Sequence, residues 1–224
     1  MTNEPTITNE SEFDVRKQKL TTYRDQGIDP FAYEFERSHS ILRALQLVGD
    51  LPAGEKSDHT VKLAGRVKAK RGHGKAIFAN ISDQTGSIQL YASVNDLSSF
   101  LQFEMLDVGD IVGVEGSIFC TRRGEISVNV SSFLLLTKSL HPLPEKYHGL
   151  QDKEARYRRR YVDLIANADV MDVFKKRSSV LRDIRNYLAD ADFMEVETPV
   201  LHHIYGGASA RPFTTHHNEL KQDL

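Results

Sequence analysis

The sequence is poor in cysteine and in long apolar runs, and each shortage excludes a class of protein. Cys120 is the only cysteine in the sequence, which rules out an internal disulfide framework and favours a reducing cytosol. No uninterrupted apolar run approaches the roughly twenty residues needed to cross a bilayer. The first residues, Met-Thr-Asn-Glu-Pro, lack the basic start and apolar centre of a signal peptide. These features predict a cytoplasmic protein in which Cys120 is a buried small side chain rather than a reactive thiol.

The sequence also lacks a surplus of positive charge. Its 29 lysines and arginines stand against 31 aspartates and glutamates, a formal net charge of -2, which excludes a protein that is basic over its whole surface. Any contact with a nucleic acid must therefore come from a local patch. Residues 60–137 contain such a patch, because five of their eight lysines and arginines lie between Arg66 and Lys75.

Residues 61–92 alternate between apolar and polar side chains, which predicts half-buried strands with one face turned outward. In the run 61–70, small and apolar residues hold the odd positions and basic residues share the even ones. The runs 76–81 and 87–92 repeat the scheme and turn aromatic and amide side chains outward. Aromatic rings beside cations suit stacked bases above a positive floor. The predicted outward residues are Arg66, Lys68, Lys70, Phe78, Gln89 and Tyr91, with Lys68 and Lys70 as phosphate contacts.

The order of elements in residues 60–137 predicts an OB-fold barrel within an α+β chain. Three strands are followed by a helix-like spacing from Asn95, a plausible N-cap, to Met105. Two more strands follow, 110–121 and 125–136, joined by a turn at Gly124. Three strands, a helix and two strands are the order expected of an oligonucleotide- or oligosaccharide-binding barrel. A sandwich fragment with no ligand is the alternative.

The residues on either side of the barrel predict an extension and a linker. Residues 1–59 form a helical extension, with one helix over 12–26 that carries Phe13, Val15, Leu20 and Tyr23, and a second capped by Ser40. Such an extension either props the neighbouring domain or touches RNA. Residues 138–152 contain two prolines and predict an ordered linker between domains.

Residues 153–224 predict the beginning of a second domain. Helical spacing with four arginines between 156 and 160 indicates either phosphate contacts or a solvated or interface-pairing face. Residues 168–191 carry a strong apolar stripe from Val170 to Leu188, and a strand-like run over 193–201 follows, with Pro199 suited to a strand edge or end. The pairs 202–203 and 216–217 are adjacent histidines whose side chains diverge in a strand, so a metal site is not predicted.

Several blocks in this order resemble the class II aminoacyl-tRNA synthetases, and the lysyl branch in particular. Phe193-Met-Glu-Val-Glu-Thr-Pro199 after a long amphipathic helix resembles motif 1 of the class. Residues 148–157, His-Gly-Leu-Gln-Asp-Lys-Glu-Ala-Arg-Tyr, and the block 206–219, which opens Gly-Gly-Ala-Ser-Ala-Arg, resemble the lysyl branch. Residues 63–66, 74–78 and 88–91 resemble that branch's anticodon-binding domain. The likeness runs from about Leu20 to the last residue.

The resemblance implies that lysine is joined to its tRNA in two steps through lysyl-adenylate, with ATP and magnesium. It places substrate lysine at Gly207, although Tyr205 departs from the proline of many relatives. It also implies a homodimer through motif 1. Because motifs 2 and 3 of the family are not reached before Leu224, we expect no catalytic residues here and no activity of this chain alone. The implied anticodon contacts are Arg66, Phe78, Gln89 and Glu125, and the implied dimer contacts are Phe193, Glu195, Glu197 and Pro199.

Two alternatives remain open at this point. One is a non-catalytic OB-fold protein that binds RNA or tRNA without chemistry. The other is the related aspartyl or asparaginyl branch, which shares the barrel and motif 1. The block that begins at Gly206 and the helical extension favour lysine.

Overall fold

The computed structural model describes residues 11–72, 74–144, 150–201, 209, 211 and 213–224. The chain divides into two compact units, Met1–Gly149 and Leu150–Leu224. Within the first unit, two helices precede a β-barrel, and a third helix lies between two of its strands. The second unit is mainly helical, and a short hairpin lies near its end. Strands and helices thus occur in the α+β arrangement that the sequence predicts.

Five strands form the barrel: β1 (Lys56–Arg71), β2 (Ala76–Ser82), β3 (Ser87–Ser93), β4 (Ile111–Cys120) and β5 (Ile126–Thr137). Their order is β1-β2-β3-β5-β4, and the sheet closes because β4 also pairs antiparallel with β1. β3 and β5 run parallel, whereas the other neighbours are antiparallel. This arrangement confirms the predicted OB-fold. β1 begins earlier than the predicted Thr60, because Lys56 already pairs with Phe119.

The alternation in the strands accounts for the barrel core. The inward side chains are the β-branched and aliphatic residues that suit a pleated surface, and most are fully buried. Cys120 is also buried, as predicted. Gly124 adopts a φ of +82°, which glycine reaches without steric cost, and it makes the predicted turn between β4 and β5. Members of the core include Val61, Leu63, Val67, Ile77, Ile81, Leu90, Val112, Val114, Ile118 and Val128.

The helix between β3 and β4 is shorter than predicted. α3 spans Phe100–Glu104, and its N-cap position is Ser99 rather than Asn95. The residues before it form a turn, in which the Ser93 hydroxyl donates to Asp96 at 2.7 Å and accepts from the Asp96 amide at 3.2 Å. Such side-chain bonds to nearby backbone compete with helical hydrogen bonds. The predicted helix start is therefore wrong.

The two helices of the extension pack on the barrel. α1 spans Glu12–Asp25 and α2 spans Ile41–Val48, and Ser40 caps α2 as predicted. The turn between β2 and β3 holds the start of α2, because its amides at Ile41 and Leu42 donate to Asp83 and Thr85 at 3.0 and 3.1 Å. Through its contacts to the barrel, the extension acts at least as a structural support.

The buried face of α1 differs from its apolar pattern. Leu20 and Tyr23 are buried as predicted, but Val15 is exposed and Arg16 is buried instead. The Arg16 guanidinium donates to the carbonyls of Val108 and Ser139 at 3.0 and 3.2 Å. A cation replaces an apolar side chain here because it satisfies backbone carbonyls that burial would otherwise leave unpaired.

A buried ion cluster joins the end of β5 to the loop before β4. The Lys138 ammonium lies 2.9 Å from Asp110 and 2.7 Å from Asp107, and the side chains of Lys138 and Asp110 are fully buried. Lys19 on α1 reaches Asp107 at 2.5 Å. Burial acts to raise the pKa of Asp107, but hydrogen bonds and charge from the two lysines outweigh it, so that this pKa lies below its usual range. Lys138, the first residue of the predicted linker, is thus fixed to the barrel.

The second unit contains α4 (Lys153–Arg158), α5 (Arg160–Ala166), α6 (Ala168–Asp190) and a hairpin of β6 (His216–His217) and β7 (Gln222–Asp223). α6 matches the predicted long helix. Residues 193–199 are neither helix nor strand, so the predicted strand is wrong for this structure. A strand requires hydrogen bonds from a neighbouring strand, and none in the described residues pairs with this run. None of the helices described here is long and apolar enough to span a membrane.

Candidate nucleic-acid interface

Aromatic side chains form a row across the outer surface of the barrel. Phe78 and Tyr91 lie directly opposite each other on β2 and β3, and their ring centroids are 5.1 Å apart. Phe119 on β4 continues the row at 5.9 Å from Tyr91, with the rings at 72°. The outward positions predicted for Phe78 and Tyr91 are confirmed. Phe119 was not among the predicted outward residues. The alternation does place it there, because its neighbours Ile118 and Cys120 are both buried.

Beside this row, Gln89 is held by two partners. Its amide nitrogen donates to Glu125 Oε2 at 2.8 Å, and its amide oxygen accepts from the Ser127 hydroxyl at 3.0 Å. Gln89 is only 2% exposed. The prediction of a solvated Gln89 is therefore wrong, since Glu125 and Ser127 at the start of β5 lie against it.

A β-bulge in β1 changes which basic side chains face outward. The pairing of β1 with β2 shifts between Val67 and Ala69, so that Val67 lies opposite Ile81 and Ala69 lies opposite Asn80. Side chains alternate with a period of two, so one extra residue reverses the alternation beyond the bulge. The odd-numbered residues from 61 to 67 lie on the core face, whereas those after the bulge lie on the outer face.

The bulge removes Lys70 from the predicted outer face. Lys70 lies opposite Ala79, a core residue of β2. Its ammonium donates to the carbonyls of Glu104 and Leu106, at and just beyond the end of α3, at 2.6 and 2.5 Å. A cation near a helix C-terminus stabilises the exposed carbonyls and the helix dipole. The placement of Lys70 beside Arg66 and Lys68 is therefore wrong.

Arg71 takes the outer position instead. It lies opposite Phe78, and its guanidinium carbon is 5.6 Å from the centroid of that ring. Its Nη2 atom is 3.7 Å from Glu125 Oε2. This arginine belongs to the basic patch that the sequence shows, but only the register of the bulged strand places it beside the aromatic row.

Arg66 lies farther along β1 and does not join this group. It pairs with Ser82, whereas Arg71 pairs with Phe78, and these partners are four positions apart on β2, or about 13 Å along a strand. Its Nη1 atom donates to the Gly109 carbonyl at 2.7 Å. Burial lowers the pKa of Arg66, and the charge of Asp110 opposes that effect. Lys68, at the bulge, also has a pKa lowered by burial and by the neighbouring Arg66.

We use the term aromatic face for the seven residues that the structure brings together here. It combines stacking surfaces, one cation, one carboxylate and an amide of fixed orientation. Such a surface can stack a base and hydrogen-bond its edge. The aromatic face consists of Arg71, Phe78, Gln89, Tyr91, Phe119, Glu125 and Ser127.

Three of the four arginines at 156–160 pair with carboxylates of the second unit. Arg156 Nε lies 2.9 Å from the buried carboxylate of Asp163, and Arg160 also contacts that carboxylate. Arg158 pairs with Glu154 at 2.9 Å on the surface of α4. These pairs lie within the second unit, so phosphate contacts and a solvated or interface-pairing face both stay predictions.

The remaining predicted site residues lie in the second unit. Tyr205, Gly207 and the pair 202–203 lie outside the described residues. The motif 1 residues Phe193, Glu195, Glu197 and Pro199 are exposed, and Glu195 accepts from Arg185 at 2.8 Å. Among the described residues, no group of three or more His, Cys, Asp or Glu side chains could hold a metal ion.

Comparisons with known proteins agree with this fold. The model of the OB-fold nucleic acid binding domain matches residues 61–136, and that of the class II tRNA synthetases (D, K and N) matches residues 152–224. The chain is 52% identical over 212 residues to the lysine–tRNA ligase of Carboxydothermus hydrogenoformans. The aligned region covers 94% of this chain and 42% of the relative. It is 51% identical over 212 residues to that of Pelotomaculum thermopropionicum, with 94% and 41% covered.

A third relative, the lysine–tRNA ligase of Bacillus cytotoxicus, is 50% identical over 215 residues, with 94% of this chain and 43% of the relative covered. The chain thus spans about two fifths of the length of the curated relatives that it matches. The class II model covers the D, K and N branches, and the relatives indicate the lysine branch among them, as the sequence motifs do. This chain belongs to the class II tRNA synthetases, in the branch of the lysine–tRNA ligases.

Proposed function

We propose that the protein to which this chain belongs joins lysine to tRNA-Lys through lysyl-adenylate, and that the barrel binds the anticodon loop of that tRNA. The observation that carries the proposal is the aromatic face, which offers stacking surfaces and hydrogen-bonding groups on one side of an OB-fold. The proposal includes the domain division at 1–59, 60–137, 138–152 and 153–224, and a location in the cytoplasm.

The side chains of the barrel have different roles in this proposal. Phe78 stacks an anticodon base, and Glu125, held by Gln89, accepts a hydrogen bond from a base edge. Arg71, which lies over the Phe78 ring, supports the stacking of the same base. Arg66 and Lys68 lie farther along β1 and contact the RNA backbone. Lys70 is not included, because its ammonium is bound to carbonyls at the end of α3.

The chemical step belongs to the whole protein rather than to groups described here. Family membership implies ATP and magnesium, but the described residues offer no cluster of metal-binding side chains. We therefore assign no step of adenylate formation to these residues. Gly207 remains the proposed contact for substrate lysine.

A homodimer is also proposed. α6 carries its apolar stripe on an exposed surface of the second unit, where Val173 is 64% and Tyr187 is 73% exposed. The motif 1 residues from Phe193 to Pro199 are exposed as well. Apolar area of this extent favours association. Sedimentation of the purified chain should show self-association, and a clean monomer at high concentration would contradict it.

The binding proposal predicts different outcomes for two neighbouring lysines. Lys68→Ala should weaken binding to a tRNA anticodon hairpin equally for all loop sequences. It should also reduce the slope of log affinity against log salt concentration by about one, the value for one lost phosphate contact. Lys70→Ala should leave that slope unchanged and lower the melting temperature instead, because its ammonium stabilises the end of α3. Titrations of a labelled hairpin at several salt concentrations, with thermal melting, measure both. The reverse pattern would contradict the assigned roles, and the absence of any hairpin binding by the wild-type chain would contradict the proposed function.

A further inference from the structure

The hydrogen bonds of the aromatic face fix the orientation of the Gln89 amide. An ionised carboxylate only accepts hydrogen bonds, so the amide atom beside Glu125 must be the nitrogen. The amide oxygen then faces Ser127, whose hydroxyl must donate to it. Ser127 therefore donates to Gln89, and Gln89 in turn donates to Glu125, so the three side chains form a series of hydrogen bonds.

The position of Ser127 in this series of hydrogen bonds is fixed by the fold. It is fully buried, and it lies directly opposite Gln89 in the parallel pairing of β3 with β5. The hydroxyl has one proton and two acceptors within reach, the Gln89 oxygen at 3.0 Å and the Glu125 carbonyl at 3.2 Å. The nearer acceptor is the amide, and donation to it leaves no buried amide oxygen unpaired.

The Glu125 end of this series of hydrogen bonds is exposed. Gln89 is buried, but the Glu125 side chain is about half exposed. Gln89 uses one N–H on Glu125 Oε2, which leaves Oε1 of the carboxylate available to a ligand. Arg71 lies 3.7 Å from Oε2 and adds a second constraint on the carboxylate.

We infer that Ser127 is a positioning residue for base recognition, which fixes the Gln89 amide and, through it, directs the Glu125 carboxylate to the base. This inference rests on the proposed function of the barrel. A carboxylate requires a donor on the base edge, such as the N3–H group of uracil. Cytosine has an acceptor at the same ring position, so an oriented carboxylate disfavours it.

Loss of the Ser127 hydroxyl removes one of the two hydrogen bonds that orient the amide. A full flip stays disfavoured, because it would place the amide oxygen against the carboxylate. The buried amide oxygen nevertheless lacks its donor, so the amide is held at one end only and fixes Glu125 less firmly. Ser127 affects recognition only through its neighbours, because its own side chain is fully buried.

The experiment compares two RNA hairpins bound to this chain. One carries three uridines as its anticodon, and the other differs only by cytidine at the central position. Ser127→Ala should reduce the preference for uridine about three- to tenfold, the effect of one buried hydrogen bond. Ser127→Thr keeps the hydroxyl and should restore most of the preference. Ser87→Ala, at the exposed start of β3, is the matched control and should leave the preference unchanged.

A double variant separates positioning from a general loss of structure. If Ser127 acts through Gln89, then Ser127→Ala together with Gln89→Ala should discriminate no less than Gln89→Ala alone. Additive losses would overturn the inference. Ser127→Cys, which fills the same space with a weak donor, gives the same test if the alanine variant does not fold.

The outcomes distinguish the two levels of the argument. If the wild-type chain binds both hairpins equally, the proposed anticodon recognition fails and the inference fails with it. If the wild type prefers uridine and Ser127→Ala keeps the full preference, only the inference fails. Equal weakening of both hairpins with an unchanged ratio would also overturn it, because it would show a structural role alone.

Discussion

Phe78→Ala should weaken anticodon-hairpin binding by about 1–3 kcal/mol, which corresponds to about five- to 150-fold in Kd. The ring lies on the outer face of β2, partly exposed, with Tyr91 on one side and Arg71 near its face. A base that stacks there loses its platform when the ring is removed. The folded barrel should be little affected, because the ring is not part of its core. Hairpin titration and thermal melting of the same preparations measure the two effects.

Phe103 provides the matched control for this prediction. It is fully buried and packs edge-on against Phe133, with ring centroids 5.2 Å apart. Phe103→Ala should therefore cost about 3–5 kcal/mol of folding free energy through the cavity it leaves. A large fall in melting temperature for Phe78→Ala with unchanged RNA affinity would show that the outer face is assigned wrongly.

Lys138→Met should lower the free energy of unfolding by about 3–5 kcal/mol. The ammonium is fully buried between Asp110 and Asp107, and its removal leaves the buried Asp110 carboxylate without its ion-pair partner. Two backbone amides still donate to Asp110 at 2.8 Å, but they do not neutralise its charge. Denaturant unfolding of the variant measures the loss.

The control variant Lys19→Met should lower the free energy of unfolding much less, because Lys19 and Asp107 are both partly exposed to water. The depressed pKa of Asp107 adds a pH dependence. A carboxyl whose pKa is lower in the folded state stabilises the fold above its unfolded pKa of about 4, and this stability is lost as pH falls through the folded value. Equal stability of Lys138→Met and the wild type would contradict the importance of the cluster.

The barrel was predictable from sequence because its strands alternate with a simple period. Phe78 and Tyr91 were placed on the outer face by that pattern alone. The pattern failed at Lys70 and Arg71, since a bulge adds one residue to β1 and positions 67–69 contain no glycine or proline to mark it. The bulge exchanges one cation for the other on the aromatic face.

Other features depended on contacts that local patterns do not contain. Gln89 occupies an outward position but is buried, because Glu125 and Ser127 from a strand distant in sequence lie against it. The strand predicted over 193–201 has the right composition, yet strands form only with a partner. Arg16 was overlooked because an apolar stripe does not indicate that a helix will place a cation against backbone carbonyls.

The central claim is that the aromatic face is the surface that contacts the anticodon loop. Its most direct test is photo-crosslinking of the wild-type chain to an anticodon hairpin with 4-thiouridine in the loop, followed by mass spectrometry of the linked peptides. We predict links within β2 and β3, centred on Phe78 and Tyr91, that diminish in Phe78→Ala. Links confined to α6 or to the extension, with none in the barrel strands, would contradict the claim.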